Sequence, residues 1–449
     1  MKYTLMLLAA TVSFSSVLAQ ETEPKSVDSM DEKKAEFKQA MPQVEPKESD
    51  EFKWGGDFRF RTVYFDNIPY ANDIPTVGTE ARGGANSFQR YRTRIFGEYH
   101  PSDSLYFRGR VVNEFRTYQT PDNQDWSAMD ETVFDNLFVD YKHDLFDVRV
   151  GRQDMIYGTG KLILDGTPKD GSRTIYFDAA KFVYKGIENT TVDLLAMYTQ
   201  AQDPLAIHTQ DRDLVGKTGG RYDGVEAGGA VYVKNKTYED LPWEGYYIAK
   251  TKGQFVTEQI NTVGARLMPK WSDGLFDANI EGAYQSAPDT SEFMIDALAN
   301  WNIKGMKEQK AKLGLGWYYL SEDWDPLFAR WPQYSELYVY SFDTTGAGQW
   351  KNVSMPHIDF SISPMKNYKA DFLLGYMFAP EADGLGGGKN RGLLFTWWNR
   401  FTIKEQLFSQ RDKLSGHFLF ELMQPGDYYT DAQQDNTATF VRLELNYAF

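Results

Sequence analysis

The feature that most restricts this chain is a period of two. In "FVRLELNYAF" the residues Val441, Leu443, Leu445, Tyr447 and Phe449 share one face, and Arg442, Glu444 and Asn446 share the other. Successive side chains of a strand point to opposite sides, so the segment is a strand with one apolar and one polar face. "QRYRTRIF" repeats the pattern with Arg90, Arg92 and Arg94 in a row and Tyr91, Thr93 and Ile95 behind them. A helix cannot sort these residues. A soluble sheet would hide the apolar faces in a core, whereas a membrane barrel would turn them to lipid and line a wet lumen with the charges.

Such segments, about ten residues each, recur through most of the chain. We place eighteen, from 57–65 and 88–99 through 105–117 and 132–142 to 414–423 and 437–449. Their connections decide between the two sheet architectures. "PSDS" (101–104), "HDL" (143–145) and "GIEN" (186–189) are short, while 66–87, 118–131, 154–174 and 200–221 are long. Alternating tight turns and long loops are the asymmetry of an outer-membrane barrel, with turns periplasmic and loops extracellular. The sequence therefore predicts an all-β fold, a transmembrane antiparallel β-barrel of about 18 strands. Apolar outward residues ending on Phe449 suit a last strand handed to the barrel assembly machinery.

Compartment follows from the first nineteen residues. Lys2, the apolar run Leu5–Val12 and the small-residue site Val17–Ala19 read as a cleavable signal peptide. Residues 20–52 are acidic and Lys-, Glu- and Pro-rich, a composition that cannot bury enough surface to fold alone and is expected to form a flexible periplasmic tail. The barrel is expected over 53–449. Mean hydropathy is −0.53 although 15% of residues are aromatic, as when each lipid-facing residue is averaged with a polar neighbour.

Composition also excludes. A chain with 63 acidic and 48 basic residues, net charge −15, is a poor partner for nucleic acid. With no cysteine there is neither a disulfide nor a thiolate metal site. The five histidines (His100, His143, His208, His357, His417) form no metal-spaced pair and suggest no Ser–His pairing, so no metal, cofactor or catalytic residue is expected.

The segregated arginines are the candidate site. Alternation sends Arg59 and Arg61 of the first strand inward, then Arg90, Arg92 and Arg94 of the second, then Arg108, Arg110, Glu114 and Arg116 of the third. Arginine on the lipid face would cost roughly 2–4 kcal/mol at mid-membrane, which leaves inward as the comfortable assignment. Asp57, Glu98 and Glu114 are the acids in phase, with Asp135, Asp140, Asp193 and Glu281 able to reach across. The expectation is a net positive path for carboxylates, with a self-neutralised arginine–carboxylate ladder as the alternative.

"NEFR" (113–116), "VRVGRQDMIYG" (148–158), "LDGTPKDGSRT" (164–174) and "TTVDLLAMY" (190–198) after "FDAAKF" (177–182) resemble the alginate export family of outer-membrane barrels. The resemblance is dense between 57 and 200. It implies an eighteen-stranded monomer in outer-membrane lipid whose electropositive pore passes an anionic polysaccharide such as alginate or another polyuronate, with periplasmic export or scaffold proteins as partners. The alternative is an uptake porin for small anions, acidic sugars or oligouronates. Arg152, Lys161 and Arg173 are weaker candidates for the pore mouth.

Overall fold

The computed structural model describes residues 51–69, 85–120, 127–128, 131–164, 176–199, 203–209, 225–252, 258–329, 334–337 and 351–449. Eighteen antiparallel strands close into one barrel. They are β1 (Glu51–Asp66), β2 (Asn86–Ser102), β3 (Leu105–Thr120), β4 (Glu131–Lys142), β5 (Phe146–Gln153) and β6 (Phe177–Ile187). Next come β7 (Thr190–Thr199), β8 (Glu226–Asn235), β9 (Trp243–Lys252), β10 (Glu258–Leu267), β11 (Phe276–Ser286) and β12 (Ser291–Asn302). The last six are β13 (Lys312–Leu320), β14 (Val353–Met365), β15 (Tyr368–Phe378), β16 (Asn390–Glu405), β17 (Lys413–Gln424) and β18 (Ala438–Ala448).

Each expected strand is present, with shifted ends. β1 begins at Glu51, so two residues assigned to the tail belong to the wall. The alternation of long and short connections also has exceptions, because β11 and β12 are joined across only 287–290 on the long-loop side. The rest of the tail and most of the 164–174 segment lie outside the described residues.

Closure is made by β1 against β18, with Asp57 opposite Ala448 and Asp66 opposite Thr439. Closing the sheet leaves no edge, which lipid would punish, since it offers backbone groups no hydrogen bonds. At the seam Gly56 and Phe449 exchange N–H···O bonds of 3.1 and 3.0 Å. A Cβ on Gly55 would lie 2.6 Å from the Phe449 carbonyl oxygen, so glycine is required for that approach.

The burial pattern is that of a barrel standing in lipid. Phe58 is 45% exposed while Arg59 beside it is 3% exposed. Ile95, Phe107, Leu137, Val150, Leu194, Val263, Phe293, Leu315 and Leu374 repeat the outward apolar row around the circumference. Among the described residues no helix is long and apolar enough to cross a membrane.

The core lies inside the lumen. Two connections fold inward at the long-loop half in their described parts: 154–164, between β5 and β6, and 321–329 with 334–337, between β13 and β14. Ile156–Tyr157, Ile163–Leu164 and Phe328–Ala329 join as a small sheet, the last two in parallel. Gly158 and Gly160, at φ +58° and +80°, make the turn in "YGTGK" that lets Ile163–Leu164 pair back on Ile156–Tyr157. Tyr157, Ile163, Trp324, Leu327 and Phe328 bury against inward Tyr232, Tyr246 and Met355.

Candidate functional site

Register explains how the arginines meet. Across β18, β1, β2 and β3 one row reads Glu444, Arg61, Arg90, Arg116 and the next reads Asn446, Arg59, Arg92, Glu114. Like charges directly opposite repel, so the carboxylates at the row ends and Asp57 in the third row are shared. Glu114 lies 2.8 Å from Arg90, 3.6 Å from Arg59 and 3.8 Å from Arg116. Asp57 holds Arg92 at 2.8 Å and Arg94 at 2.6 Å. Glu444 reaches Arg61 at 2.5 Å and Arg59 at 3.8 Å.

The remaining two arginines pair along β3. Arg108 meets Glu98, and Arg110 meets Asp135 at 2.8 Å and Asp154 at 2.9 Å. Among the described residues these eight guanidiniums share six carboxylates (Asp57, Glu98, Glu114, Asp135, Asp154, Glu444). The three in-phase acids are thus joined by three others, Asp135, Asp154 and Glu444. Arg59, Arg61, Arg90 and Arg92 are closed off from the lumen's water. Arg94, Arg108 and Arg116 keep 15%, 20% and 19% of their side-chain surface. Of the eight, these three keep the most accessible surface.

The other candidates are placed differently from expectation. Arg152 is buried at the end of β5, 2.8 Å from Asp178 and 2.8 Å from Asp203. Lys161 is not at an open mouth but inside the lumen, 3.9 Å from Asp296. Its segment folds inward because "YGTG" turns it there and its apolar residues find a buried partner. Arg173 lies outside the described residues. Of the distant acids, Asp135 meets Arg110 and Asp140 meets Arg149 at 2.5 Å. Asp193 and Glu281 accept instead from Tyr157 (2.8 Å) and Thr159 (2.9 Å) of the inward segment.

The facing wall holds the second inward segment. Asp325 lies 3.6 Å from buried Lys250 and pairs with Lys252; its oxygen also accepts from Leu327 N–H at 2.7 Å. Gln285 brackets its backbone on both sides, at 2.9 and 3.0 Å. Burial opposes the Asp325 charge, but the two ammonium groups outweigh it and hold the carboxyl below the ordinary aspartate value. Farther on, Glu421 accepts from Ser335 (2.8 Å) and Leu337 N–H (2.9 Å), and Glu336 pairs with Arg442 at 3.0 Å. Beneath these contacts a cavity of about 780 Å³ opens toward the short-turn end, lined among others by Lys161, Asp296, Lys312, Glu336, Asp371 and Arg442.

No family model matches the chain, and no curated protein matches it. Solved structures do. OccAB1 of Acinetobacter baumannii is 11% identical with TM-score 0.57, over 91% of this chain and 99% of that one. OccAB4 of Acinetobacter baumannii is 12% identical with TM-score 0.56, over 90% and 99%. The outer membrane protein opdK of Pseudomonas aeruginosa is 10% identical with TM-score 0.56, over 88% and 98%.

The fold is that of an outer-membrane β-barrel. These likenesses carry the barrel architecture and do not extend to alginate export.

Several lumenal residues escaped strand-by-strand reading. Arg149 alternates with lipid-facing Val150 and belongs to the basic wall, and alternation alone could have found it. Glu444 becomes a partner of Arg61 only when the last strand is set beside the first. Asp154, Asp203, Asp325 and Tyr334 come from connections, where no periodicity marks direction.

Proposed function

We propose that the protein is a substrate-selective porin of the outer membrane that passes small anions, carboxylates above all. The observation that carries the reading is the shared pairing on β1–β3, where guanidiniums from three neighbouring strands gather in a confined space and Arg94, Arg108 and Arg116 remain accessible. Guanidinium is always charged and offers paired donors to a planar anion, and several weak contacts in file permit release. Two inward segments occupy the long-loop half of the lumen, which favours a small solute over the threading of a polyuronate chain. The porin neighbours support the same choice. On this reading residues 1–19 direct export and the acidic stretch before Glu51 is a periplasmic tail.

The test is conductance across planar bilayers under a salt gradient. The expected result is a reversal potential favouring chloride over potassium, and current block by galacturonate that exceeds block by the neutral hexose. Cation preference, or equal response to the two sugars at low salt, would defeat the proposal.

A further inference from the structure

Lys161 lies in a setting built for its own functional group. Its ammonium is 4.3 Å from the ring centre of Tyr318 and 3.9 Å from that of Tyr334. The two rings are 5.0 Å apart at 63°, forming a corner around the cation. Asp296 closes the third side at 3.9 Å, and the Tyr334 hydroxyl donates to the other oxygen of that carboxylate. Ring faces are negative and a desolvated carboxylate more so, so the three groups together select a cation. Lys161 and Asp296 each keep 5% of their side-chain surface.

The cage does not belong to the lysine's own segment. Asp296 comes from β12, Tyr318 from β13 and Tyr334 from the second inward segment, while Lys161 comes from the first. Tyr334 is further placed by the ring of His357 at 5.0 Å. Lys161, Asp296 and Tyr334 all line the 780 Å³ cavity, so a solute in that cavity arrives at the cage.

We propose that this is a binding site for small organic ammonium groups, occupied in the resting structure by Lys161 as a tethered pseudo-ligand. An ammonium compound arriving from the short-turn side takes the lysine's place. The inference stands apart from the anion reading, because it uses a different wall and the opposite charge. A tether gives the lysine an effective concentration in the millimolar range, so a free competitor binds weakly to the intact protein and far better once the lysine is gone. A lysine serving only to tie two segments together would leave no such site.

Lys161→Ala removes a propylammonium fragment, and n-propylammonium is the matching probe. Titrated against the full-length barrel in bilayers, it should block current in Lys161→Ala at concentrations at least tenfold lower than in the unaltered protein. n-Propanol should do nothing. Adding Tyr334→Leu should return the response to the unaltered level. Equal block with and without the lysine, or block indifferent to Tyr334→Leu, would overturn the site. If Lys161→Ala does not assemble, the unaltered barrel serves. Tetramethylammonium, which cannot consume an acylating reagent, should speed acylation of Lys161 severalfold over sodium at equal ionic strength, read by mass spectrometry. Equal rates would overturn the proposal equally.

Discussion

The two walls of the lumen use similar charged residues for opposite ends. On β18, β1, β2 and β3 the ion pairs run from strand to neighbouring strand, as Arg61–Glu444 and Arg90–Glu114 do. On β7–β13 and β17 polar groups are directed at the inward segments: Asp193 to Tyr157, Glu281 to Thr159, Lys250 and Lys252 to Asp325, Glu421 to Ser335. Among the described residues the first wall takes its carboxylates mainly from strands, with Asp154 and Glu336 contributed by connections, whereas the second turns many of its polar groups toward the inward segments. A lumenal charge therefore has no fixed meaning. Its role follows from whether its partner sits on the next strand or on a returning connection.

The sharpest break in that contrast is Asp325→Ala. Removing one partner of a buried pair costs about 3–5 kcal/mol, and here the loss falls on the inward segment around Asp325 rather than on the barrel. Single-channel conductance should rise severalfold while the heat-modifiable barrel persists; unchanged conductance would show that the segment is held elsewhere. Acid should act through the same contact. Because the Asp325 pKa is depressed on folding, its contribution is present above the unfolded value of about 3.9 and is lost as pH falls through the lower folded value. Conductance should therefore hold steady down to about pH 4 and rise only below it.

Gly55→Val tests the closure of the arginine wall. The added side chain meets the Phe449 carbonyl, and overpacking costs about 1–3 kcal/mol. Less folded barrel is expected, with unaltered selectivity in what assembles. Arg90→Gln should cost about 1.5–3 kcal/mol, less than Asp325→Ala because Glu114 keeps Arg59 and Arg116, and should leave selectivity alone because Arg90 is shut away from the lumen.

Arg94→Gln combined with Arg116→Gln should do the reverse, with little loss of stability and a severalfold fall in anion preference at low salt. The fall should shrink as the screening length drops from about 10 Å at 0.1 M to about 3 Å at 1 M. A selectivity change from Arg90→Gln as large as from this pair would erase the distinction between buried and accessible arginines. The smallest effect belongs to Ile95→Leu on the lipid side: a stability change within about 0.5 kcal/mol and no change in reversal potential.

Strand number and facing were legible in the sequence because the side-chain period of two is local. Val441, Leu443 and Leu445 against Arg442 and Glu444 name their faces without reference to any other strand, and the same logic turned Arg59, Arg90 and Arg110 inward. Partners were not legible. Glu444 finds Arg61 across 383 positions of sequence, a contact created by closure alone. Lys161 and Asp325 sit in connections without periodicity, so nothing local told that those segments fold back into the lumen instead of outward. Their direction was decided by what the closed barrel offers them, buried tyrosines, lysines and carboxylates brought together from several strands, and that offer exists only in three dimensions.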